Sequence, residues 1–488
     1  MNSKVFSVPT QNRRTHYWVT FAVLSVSVAS YTLMQSLTIP VLSELETEFN
    51  TDQNTVTWLL TGYLLSASVF TPIMGRLGDA YGKQRLLVIS LAALAIGSLA
   101  AALAPTIGLL IVARVIQGVG GGVLPLAFGI IRDEFPREKI GGAVSVVSSL
   151  LAVGFGAGIV LAGPITSSLG FRWLFWLPFI VTATAAVVAA VVVPESPVRT
   201  PGRIAILPAV LLSAWLVALL LGLSQAPKWG WGDPRTVGLI VVAIVLLVAW
   251  IRVELTVDVP LIDMKMMRLP GVWTTNLVAL LLGVGMYASF GFIPQFNQTP
   301  AANGYGFGST VTESGLILLP SAIMTFLTGL VAAPIARRIG PKTVVVVGSV
   351  IGAIGMFMMA GWHDEPWKVA VSNAVIGTGI GLAFACLAGL IVAAVTPAQT
   401  GVASGMNANI RTIGGSIGTA VMASIVTAHF LPSGFPKEIG YTAGFVVLGG
   451  ALLAAAFAGL MIPSISEKGI EDKLEQERLD RELAVMSA

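Results

Sequence analysis

The sequence predicts an all-α membrane protein that crosses the bilayer fourteen times. Of its 488 residues, 55% are apolar and only 11% are charged, whereas an ordinary soluble domain carries about 25% charged residues. The apolar residues also form long runs, and a helix needs about 20 mostly apolar residues to cross a core of roughly 30 Å. Strands of a membrane barrel alternate in polarity over about 10 residues, but stretches such as 237–250 are continuously apolar. Helices are therefore favoured.

Fourteen apolar runs lie between charges, prolines and glycine clusters. The first is longer than the 7–15 residues of a signal-peptide core, and many equally apolar runs follow it, so we interpret it as a span. The runs are 17–39, 54–75, 85–105, 106–131, 140–164, 171–193, 204–225, 235–253, 272–297, 311–335, 342–361, 367–395, 400–429 and 438–462.

The basic residues between the runs indicate which side faces the cytoplasm. With fourteen crossings, 21 Lys and Arg residues lie on the side of the two termini. The opposite side holds only Arg172, Lys228, Arg235, Lys368 and Lys437. Since cytoplasmic loops carry the excess of basic residues, we expect both termini in the cytoplasm.

Two short patterns occur twice, at offsets of 258 and 259 residues. Residues 77–82 (LGDAYG) return as 335–340 (IARRIG), and 142–145 (GAVS) return as 401–404 (GVAS). Their positions predict two homologous six-helix units with two helices inserted between them. Such repeats are one architecture that places a substrate site between the units, near the membrane midplane. The predicted segments are a cytoplasmic tail, the first unit, the linker with two inserted helices, the second unit and a charged tail, at 1–16, 17–193, 194–271, 272–462 and 463–488.

The composition argues against several other functions. A formal net charge of +4 is too small and too dispersed to indicate nucleic-acid binding. No Gly-x4-Gly-Lys-Ser/Thr loop is present to hold the phosphates of ATP. One cysteine makes an intramolecular disulfide impossible, and three histidines do not form a His-rich metal site. We therefore expect no cofactor, no metal and no nucleic-acid partner.

A charged, glycine-rich segment follows the second run. Residues 75–85 read GRLGDAYGKQR, and residues 114–120 in the fourth run read RVIQGVG. Glycines permit a tight turn between helix ends, and an aspartate there can pair with arginines or with a helix N-terminus. The simplest interpretation is a positive anchor at the cytoplasmic surface, which we favour for Lys83 and Gln84 alone. The full spacing, however, resembles the signature loop and the second motif of the major facilitator superfamily.

With fourteen runs, the chain resembles the bacterial fourteen-helix multidrug/proton antiporter branch of that superfamily. Residues 58–65 (WLLTGYLL), 171–175 (FRWLF) and 409–418 (NIRTIGGSIG) support the resemblance. It implies a secondary active transporter that exports hydrophobic or amphipathic small molecules by proton antiport with alternating access. The signature segment would then be a gating loop, whose functional residues are Gly75, Arg76, Asp79, Gly82 and Arg85.

Two departures from the branch bear on coupling to protons. Tyr31 stands where the branch usually carries an acid in its first helix. The antiporter-type motif of the fifth run corresponds to Gly154, Gly158 and Gly163, but Ile159 occupies the position of the family's proline. These changes weaken the expectation of antiport without excluding it. The glycines also let helix backbones approach closely, which is a structural role.

Ionisable groups at membrane depth are costly and are candidates for function. Arg114 either ties its helix to backbone carbonyls through its guanidinium fork or stabilises a deprotonated carrier or a polar substrate group, and we favour the second. Arg411 lies nearer the cytoplasmic end of its run and can extend to the surface, which favours a structural role. Glu313 is a candidate proton carrier, although its spacing from Thr310 also fits a helix capping box.

By resemblance, the first and fourth helices of each unit should face a central cavity. Methionine and aromatic side chains adapt to irregular apolar ligands, although each candidate also suits plain helix packing. With no acid in the predicted midplane, neutral or weakly anionic compounds should be preferred to quaternary ammonium dyes. The candidates for the cavity are Tyr31, Gln35, Gln117, Asn276, Met286, Tyr287, Gln295 and Asn373.

Three functions remain open at this point. The first is proton-driven export of drug-like compounds, and the second is export of one lipid or secondary metabolite with different or weak coupling. A membrane-embedded enzyme is disfavoured, because no histidine lies deep in a run and no paired carboxylates occupy one. We expect a monomer in the inner cell membrane, whose partners are protons, the bilayer and a small hydrophobic substrate.

Overall fold

A computed structural model describes residues 17–51, 53–196, 206–257, 260–396 and 399–463. In these ranges the chain forms seventeen α-helices, two short 3-10 helices and one isolated β-bridge between Phe430 and Pro436. Helices are what apolar runs require, because a bilayer offers no water to satisfy backbone N–H and C=O groups. The prediction of an all-α membrane protein is confirmed. Apart from Pro463, the two predicted tails lie outside the described residues.

The first eight helices come before the predicted insertion. Helices α5 and α6 form one span, because only a 3-10 turn of glycine-rich sequence, Val119–Gly122, separates them. The bounds are α1 (Tyr17–Ser36), α2 (Leu42–Glu48), α3 (Gln53–Tyr81), α4 (Lys83–Ala102), α5 (Ile107–Gly118), α6 (Val123–Glu134), α7 (Arg137–Leu169) and α8 (Trp173–Val192).

The remaining nine helices begin after a gap in the described chain. Their bounds are α9 (Ile206–Trp229), α10 (Pro234–Thr256), α11 (Met264–Met267), α12 (Pro270–Gln298), α13 (Val311–Ile339), α14 (Pro341–Gly361), α15 (Pro366–Ala394), α16 (Thr400–Val426) and α17 (Glu438–Gly459).

Thirteen helical stretches in the described part of the chain are long and apolar enough to cross a membrane. The one predicted run outside these stretches is the thirteenth, 400–429, which falls on α16; this helix has 27 residues and is therefore about 40 Å long at 1.5 Å per residue. Its apolar character is lower because it carries Asn407, Asn409 and Arg411. The chain thus crosses the membrane many times, and the total of fourteen stays a prediction.

The helices pack around two large apolar clusters. One draws mainly on α1, α3, α4, α6 and α7, and the other mainly on α12, α14, α15 and α17. We call α1–α8 the first helix group and α12–α17 the second helix group. Between the two groups, α7 packs along α13, and α3 packs along α16. The inserted helix α9 packs on α10 and also contacts both α3 and α16. One inserted helix therefore lies against both groups, and the unit boundaries stay predictions.

The predicted gating loop is almost entirely helical. Helix α3 continues to Tyr81 and α4 begins at Lys83, so Gly82 alone makes the turn. Its φ of +119° is a conformation that favours glycine. The prediction of an eleven-residue loop is therefore wrong, because both helices continue through the charged residues.

Candidate functional site

A cavity of about 330 Å³ lies between the two helix groups. Residues of α1, α3, α7, α9, α12 and α16 line it. Its wall is largely apolar, with hydroxyl groups from Thr61, Ser224, Thr412 and Ser416. The lining residues of α9 and α16 extend toward the C-terminal ends of these helices, far from Asp79. We call this space the outer cavity.

A smaller cavity of about 40 Å³ continues from the outer cavity toward Asp79. Its wall includes Tyr31, Met286, Phe384 and Arg411. We call it the inner cavity. Both cavities are lined by Gln35, Leu64, Phe155, Tyr287 and Thr412.

Four of the eight predicted cavity residues line these spaces. Tyr31 and Met286 line the inner cavity, and Gln35 and Tyr287 line both. The ring of Phe155 packs edge-on against Tyr287, with ring centroids 5.9 Å apart. The adaptable aromatic wall expected from the resemblance is therefore present, although it comes from α1, α7 and α12.

The other four predicted cavity residues lie elsewhere, which corrects the prediction. Gln117 donates to the Ser98 hydroxyl at 2.9 Å inside the first helix group. Asn276 accepts from Asn407 at 2.9 Å, and Asn373 donates to a carbonyl of its own helix at 3.0 Å. Gln295 lies on an exposed face of α12. Each amide therefore either satisfies a packing contact or faces outward.

Arg114 is completely buried and well satisfied. The Tyr63 ring lies 4.5 Å from its guanidinium carbon, a cation–π contact. This contact and the hydrogen bonds of the guanidinium are those expected if Arg114 ties its helix to its neighbours, the structural role considered in the sequence analysis. No described carboxylate forms an ion pair with Arg114. Its guanidinium donates at 3.2, 3.4, 2.8 and 3.1 Å to the carbonyls of Leu59 and Met34, the side-chain oxygen of Gln117 and the hydroxyl of Thr38.

Arg411 lies in the wall of the inner cavity and does not extend to the surface. It is 8% exposed, and its guanidinium carbon lies 4.9 Å from the centre of the Phe384 ring. Its Nε has no hydrogen-bond acceptor among the described residues. The expectation that Arg411 reaches the surface is therefore wrong, because α16 begins at Thr400 and carries this residue to mid-helix.

Glu313 forms the capping box that its spacing from Thr310 allows. The Glu313 carboxylate accepts from the Thr310 backbone N–H at 2.8 Å, and the Thr310 hydroxyl accepts from the Glu313 N–H at 3.2 Å. The side chain is exposed at the start of α13. This geometry is that of a helix cap, and a carrier role for Glu313 stays a prediction.

Asp79 joins the two helix groups at the end away from the outer cavity. Its Oδ2 accepts from the backbone N–H of Val402, in the first turn of α16, at 3.2 Å. A carboxylate there satisfies an N–H group that the helix leaves unpaired, and it complements the positive end of the helix dipole. The backbones also meet closely, since a Cβ on Gly75 would lie 2.6 Å from the Gly401 carbonyl oxygen.

Lys83 is a buried member of this contact rather than a surface anchor. It is 1% exposed, and its Nζ lies 2.7 Å from Asp133 and 3.6 Å from Asp79. The sequence interpretation of Lys83 alone was therefore wrong, because its acidic partner comes from α6. Gln84 donates to carbonyls at the end of α8.

Arg132 forms a second contact between the groups, which sequence reasoning missed. Its guanidinium donates to the carbonyls of Val392 and Val395 and to the Thr400 hydroxyl, the last two at 2.7 Å. A cation at the C-terminal end of α15 complements the negative end of that helix dipole. Asp79 thus binds the N-terminal end of α16, and Arg132 binds the C-terminal end of α15, so the two contacts lie on either side of the connection between these helices. We call these two contacts the Asp79 and Arg132 latch.

The other gating-loop residues face the linker and the inserted helices. Arg85 is exposed and lies 3.7 Å from Glu195, whereas Arg76 is buried and interacts electrostatically with Asp79 and Glu254. Glu254 is 3% exposed and accepts from the Trp250 side chain and a backbone N–H. The predicted run ended at residue 253, so sequence reasoning did not single out Glu254.

The antiporter-type glycines let α7 pack closely on two neighbours. A Cβ on Gly154 or Gly158 would lie 2.0 or 2.1 Å from a hydroxyl oxygen of α1. A Cβ on Gly163 would lie 2.5 Å from the Thr312 hydroxyl in α13. This geometry is the close approach expected of such glycines, and a part in antiport stays a prediction. Among the described residues, no cluster of His, Cys, Asp and Glu suits a metal ion.

Comparison with known proteins places this geometry in a family context. Residues 24–419 match the family described as Major Facilitator Superfamily. The chain is 31% identical over 394 residues to the "Multidrug resistance protein B homolog" of Mycobacterium tuberculosis strain H37Rv, covering 78% of this chain and 71% of that protein. It is 26% identical over 431 residues to the tetracenomycin C resistance and export protein of Streptomyces glaucescens, covering 88% and 79% of the two chains.

A solved structure shows the same fold at low sequence identity. The human organic anion transporter MFSD10 (TETRAN) aligns with a TM-score of 0.63 and 15% identity. The alignment covers 91% of this chain and 99% of that one. At this identity the likeness concerns the fold alone.

Proposed function

The chain belongs to the major facilitator superfamily, and from this membership we propose that it exports hydrophobic or amphipathic small molecules by proton antiport with alternating access. The observation that carries the proposal is the outer cavity of about 330 Å³ between two helix groups. Relatives named for multidrug resistance and for export of tetracenomycin C support a drug-like substrate. The proposed setting is the inner cell membrane, with the Asp79 end facing the cytoplasm, as the basic residues indicate.

The distribution of contacts supports alternating access. At the Asp79 end, the Asp79 and Arg132 latch and the close approach of Gly75 to Gly401 hold the groups together. The cavity lies toward the other end. A rocking transporter exposes its site to one side at a time. This arrangement therefore corresponds to the state that is closed toward the cytoplasm.

The chemistry of the wall supports broad recognition. Apolar and aromatic side chains bind irregular ligands without fixed geometry, while scattered hydroxyls donate or accept hydrogen bonds. Phe155 and Tyr287 line both cavities, and Thr61 and Ser224 lie opposite each other with their oxygens 3.3 Å apart. A substrate of modest size with an apolar body fits this wall.

The latch also suggests how a proton would act. Asp79 is negatively charged at the N-terminus of α16 and lies near Lys83, which it shares with Asp133. A proton on Asp79 removes that charge and weakens its attraction to the helix end. We propose that protonation here favours opening toward the cytoplasm.

Transport by purified protein in proteoliposomes tests the proposal. We expect counterflow of labelled lipophilic compounds without a gradient, and net movement opposite to an imposed proton gradient. Tyr287→Ala should reduce exchange, whereas Val187→Ala, on an exposed face of α8, should not. Absence of exchange for every compound, together with turnover of a membrane lipid, would contradict export and support an enzyme. Exchange of a single lipid or metabolite would favour a dedicated exporter.

A further inference from the structure

The two deeply placed arginines differ in how their charges are satisfied. Hydrogen-bond acceptors surround Arg114, whereas the Nε of Arg411 has none among the described residues. No described carboxylate forms an ion pair with Arg411 either. A buried charge without compensation is costly, and at membrane depth it marks a functional site. The unsatisfied group is therefore the one that has room for a ligand.

We propose, building on the export function proposed above, that Arg411 binds the negatively charged group of an amphipathic organic anion. The planar guanidinium presents paired N–H donors that match the two oxygens of a carboxylate. Arg411 lines the inner cavity, and the next residue, Thr412, lines both cavities. The ligand's own charge then supplies the compensation that the described chain does not.

The surroundings of Arg411 fit one compact anionic group. The Phe384 ring supports the guanidinium at 4.9 Å. Tyr31 and Gln35 line the same inner cavity and carry hydrogen-bond donors for a second oxygen. None of the residues that line the inner or outer cavity is acidic. A cation therefore finds no partner there, whereas an anion finds one.

The sizes of the two cavities indicate which part of such a ligand each cavity can hold. The inner cavity, of about 40 Å³, has room for a small charged group, and the outer cavity, of about 330 Å³, has room for an apolar body. They share Phe155 and Tyr287 in their walls. The class of ligand is thus a monoanion whose single charged group projects from an apolar body.

Three congeners with one ring system test the proposal. Anthracene-9-carboxylate, anthracene-9-carboxamide and 9-(aminomethyl)anthracene carry a negative, zero and positive charge at neutral pH. Their binding to the wild-type protein in nanodiscs of zwitterionic lipid is measured by equilibrium dialysis. We expect the carboxylate to bind about tenfold to a hundredfold more tightly than the amide, as charge-assisted hydrogen bonds allow, and the ammonium to bind least. Equal binding of carboxylate and amide in the wild type overturns the proposal without any variant.

Substitutions of Arg411 assign the preference to this residue. Arg411→Gln should bind the amide as the wild type does but lose the preference for the carboxylate. Arg411→Lys keeps the charge without the fork and should retain an intermediate preference. Binding of the amide reports that each variant is folded. An undiminished carboxylate preference in Arg411→Gln, or in Arg411→Lys if the first variant does not fold, overturns the proposal.

Counterflow in proteoliposomes separates this inference from the export function. If the wild type binds the carboxylate preferentially but exchanges neither compound, export is contradicted and Arg411 remains an anion-binding residue. If Arg411→Gln exchanges the carboxylate as fast as the wild type, export stands and the role of Arg411 is overturned. Selective loss of carboxylate exchange in Arg411→Gln, with amide exchange retained, supports both.

Discussion

Arg114 joins three parts of the first helix group, because its guanidinium reaches α1, the residue Thr38 just after it, and α3. Hydrogen bonds of a charged group contribute about 1.5–3 kcal/mol each. We therefore expect Arg114→Met to lower the midpoint of thermal unfolding in detergent. Arg411→Met removes a charge whose Nε has no described acceptor, so its midpoint should be unchanged or higher. Tryptophan fluorescence measures the unfolding. An equal decrease of the midpoint in the two variants would contradict this expected difference.

Asp79 is the residue at which charge and helix contact coincide. Asp79→Asn keeps an oxygen that can accept from Val402 but removes the negative charge from the start of α16 and from Lys83. We expect export to fall at least about tenfold, the effect of losing about 1.4 kcal/mol, while the protein stays folded and inserted. Transport into inverted vesicles measures the effect, and Glu138→Gln, an exposed acid at the start of α7, is the control. Unchanged export in Asp79→Asn would reduce the contact to a topological anchor.

The sequence could predict the chemistry of these residues but not which residues contact them in the folded protein. It singled out Asp79, Arg114 and Arg411 as candidate functional charges, and it named a helix N-terminus as a possible partner of Asp79. It favoured a functional role for Arg114 and a structural role for Arg411. Arg411 stands about 16 Å along α16 at 1.5 Å per residue, near the middle of that helix, and only tertiary packing shows which arginine has acceptors.

At the scale of elements, α9 forms a side wall of the outer cavity. Leu220, Leu223 and Ser224 line that cavity, while the Trp231 side chain donates to Ser424 of α16 at 2.7 Å. Helix α9 thus lies against α3 and α16 and faces the outer cavity between them. Helix α9 of the inserted pair is therefore part of the proposed substrate site.

Substitution of one cavity-facing residue of α9 tests this role. Leu223→Trp places a larger side chain in the outer cavity, so export of bulky compounds should fall several-fold more than export of small ones. Val217→Trp, on the exposed side of α9, is the matched control and should leave both unchanged. A series of lipophilic compounds of increasing size, measured by counterflow, gives the comparison. Equal loss for all sizes would point to disturbed packing instead.

Helix boundaries show the limits of sequence patterns at this scale. Hydrophobic runs located the spans, but the charges and glycines of residues 75–85 indicated a loop. In the structure, α3 continues to Tyr81 and α4 begins at Lys83, so only Gly82 lies outside a helix. The charges stay helical because each finds a partner in another element, as Lys83 does in Asp133 and Asp79 does in α16. The 3-10 turn between α5 and α6 likewise follows from a glycine cluster that the run alone did not resolve.

For the whole molecule, the close contacts between α3 and α16 are unevenly placed. Helices α3 and α16 meet closely at the Asp79 end, where a Cβ on Gly405 would lie 3.1 Å from the Thr71 carbonyl oxygen. The same two helices both line the outer cavity farther along. Alternating access requires that this pattern invert, so the close contact must open whenever the cavity faces the cytoplasm.

Locking the Asp79 end therefore tests the motion of the whole molecule. Cys386 is the only cysteine, so a Cys386→Ser background allows a single pair, Gly75→Cys with Gly401→Cys, to be joined by a disulfide or a short thiosulfonate linker, because the Cβ atoms of these two residues would face each other's backbone. We expect linkage to stop export and reduction to restore it, with either single cysteine variant as the control. Binding of anthracene-9-carboxylate to the linked protein should persist, because neither linked residue lines the inner or the outer cavity. Export that continues in fully linked protein would mean that α3 and α16 do not separate, and the substrate would need a path that bypasses the latch.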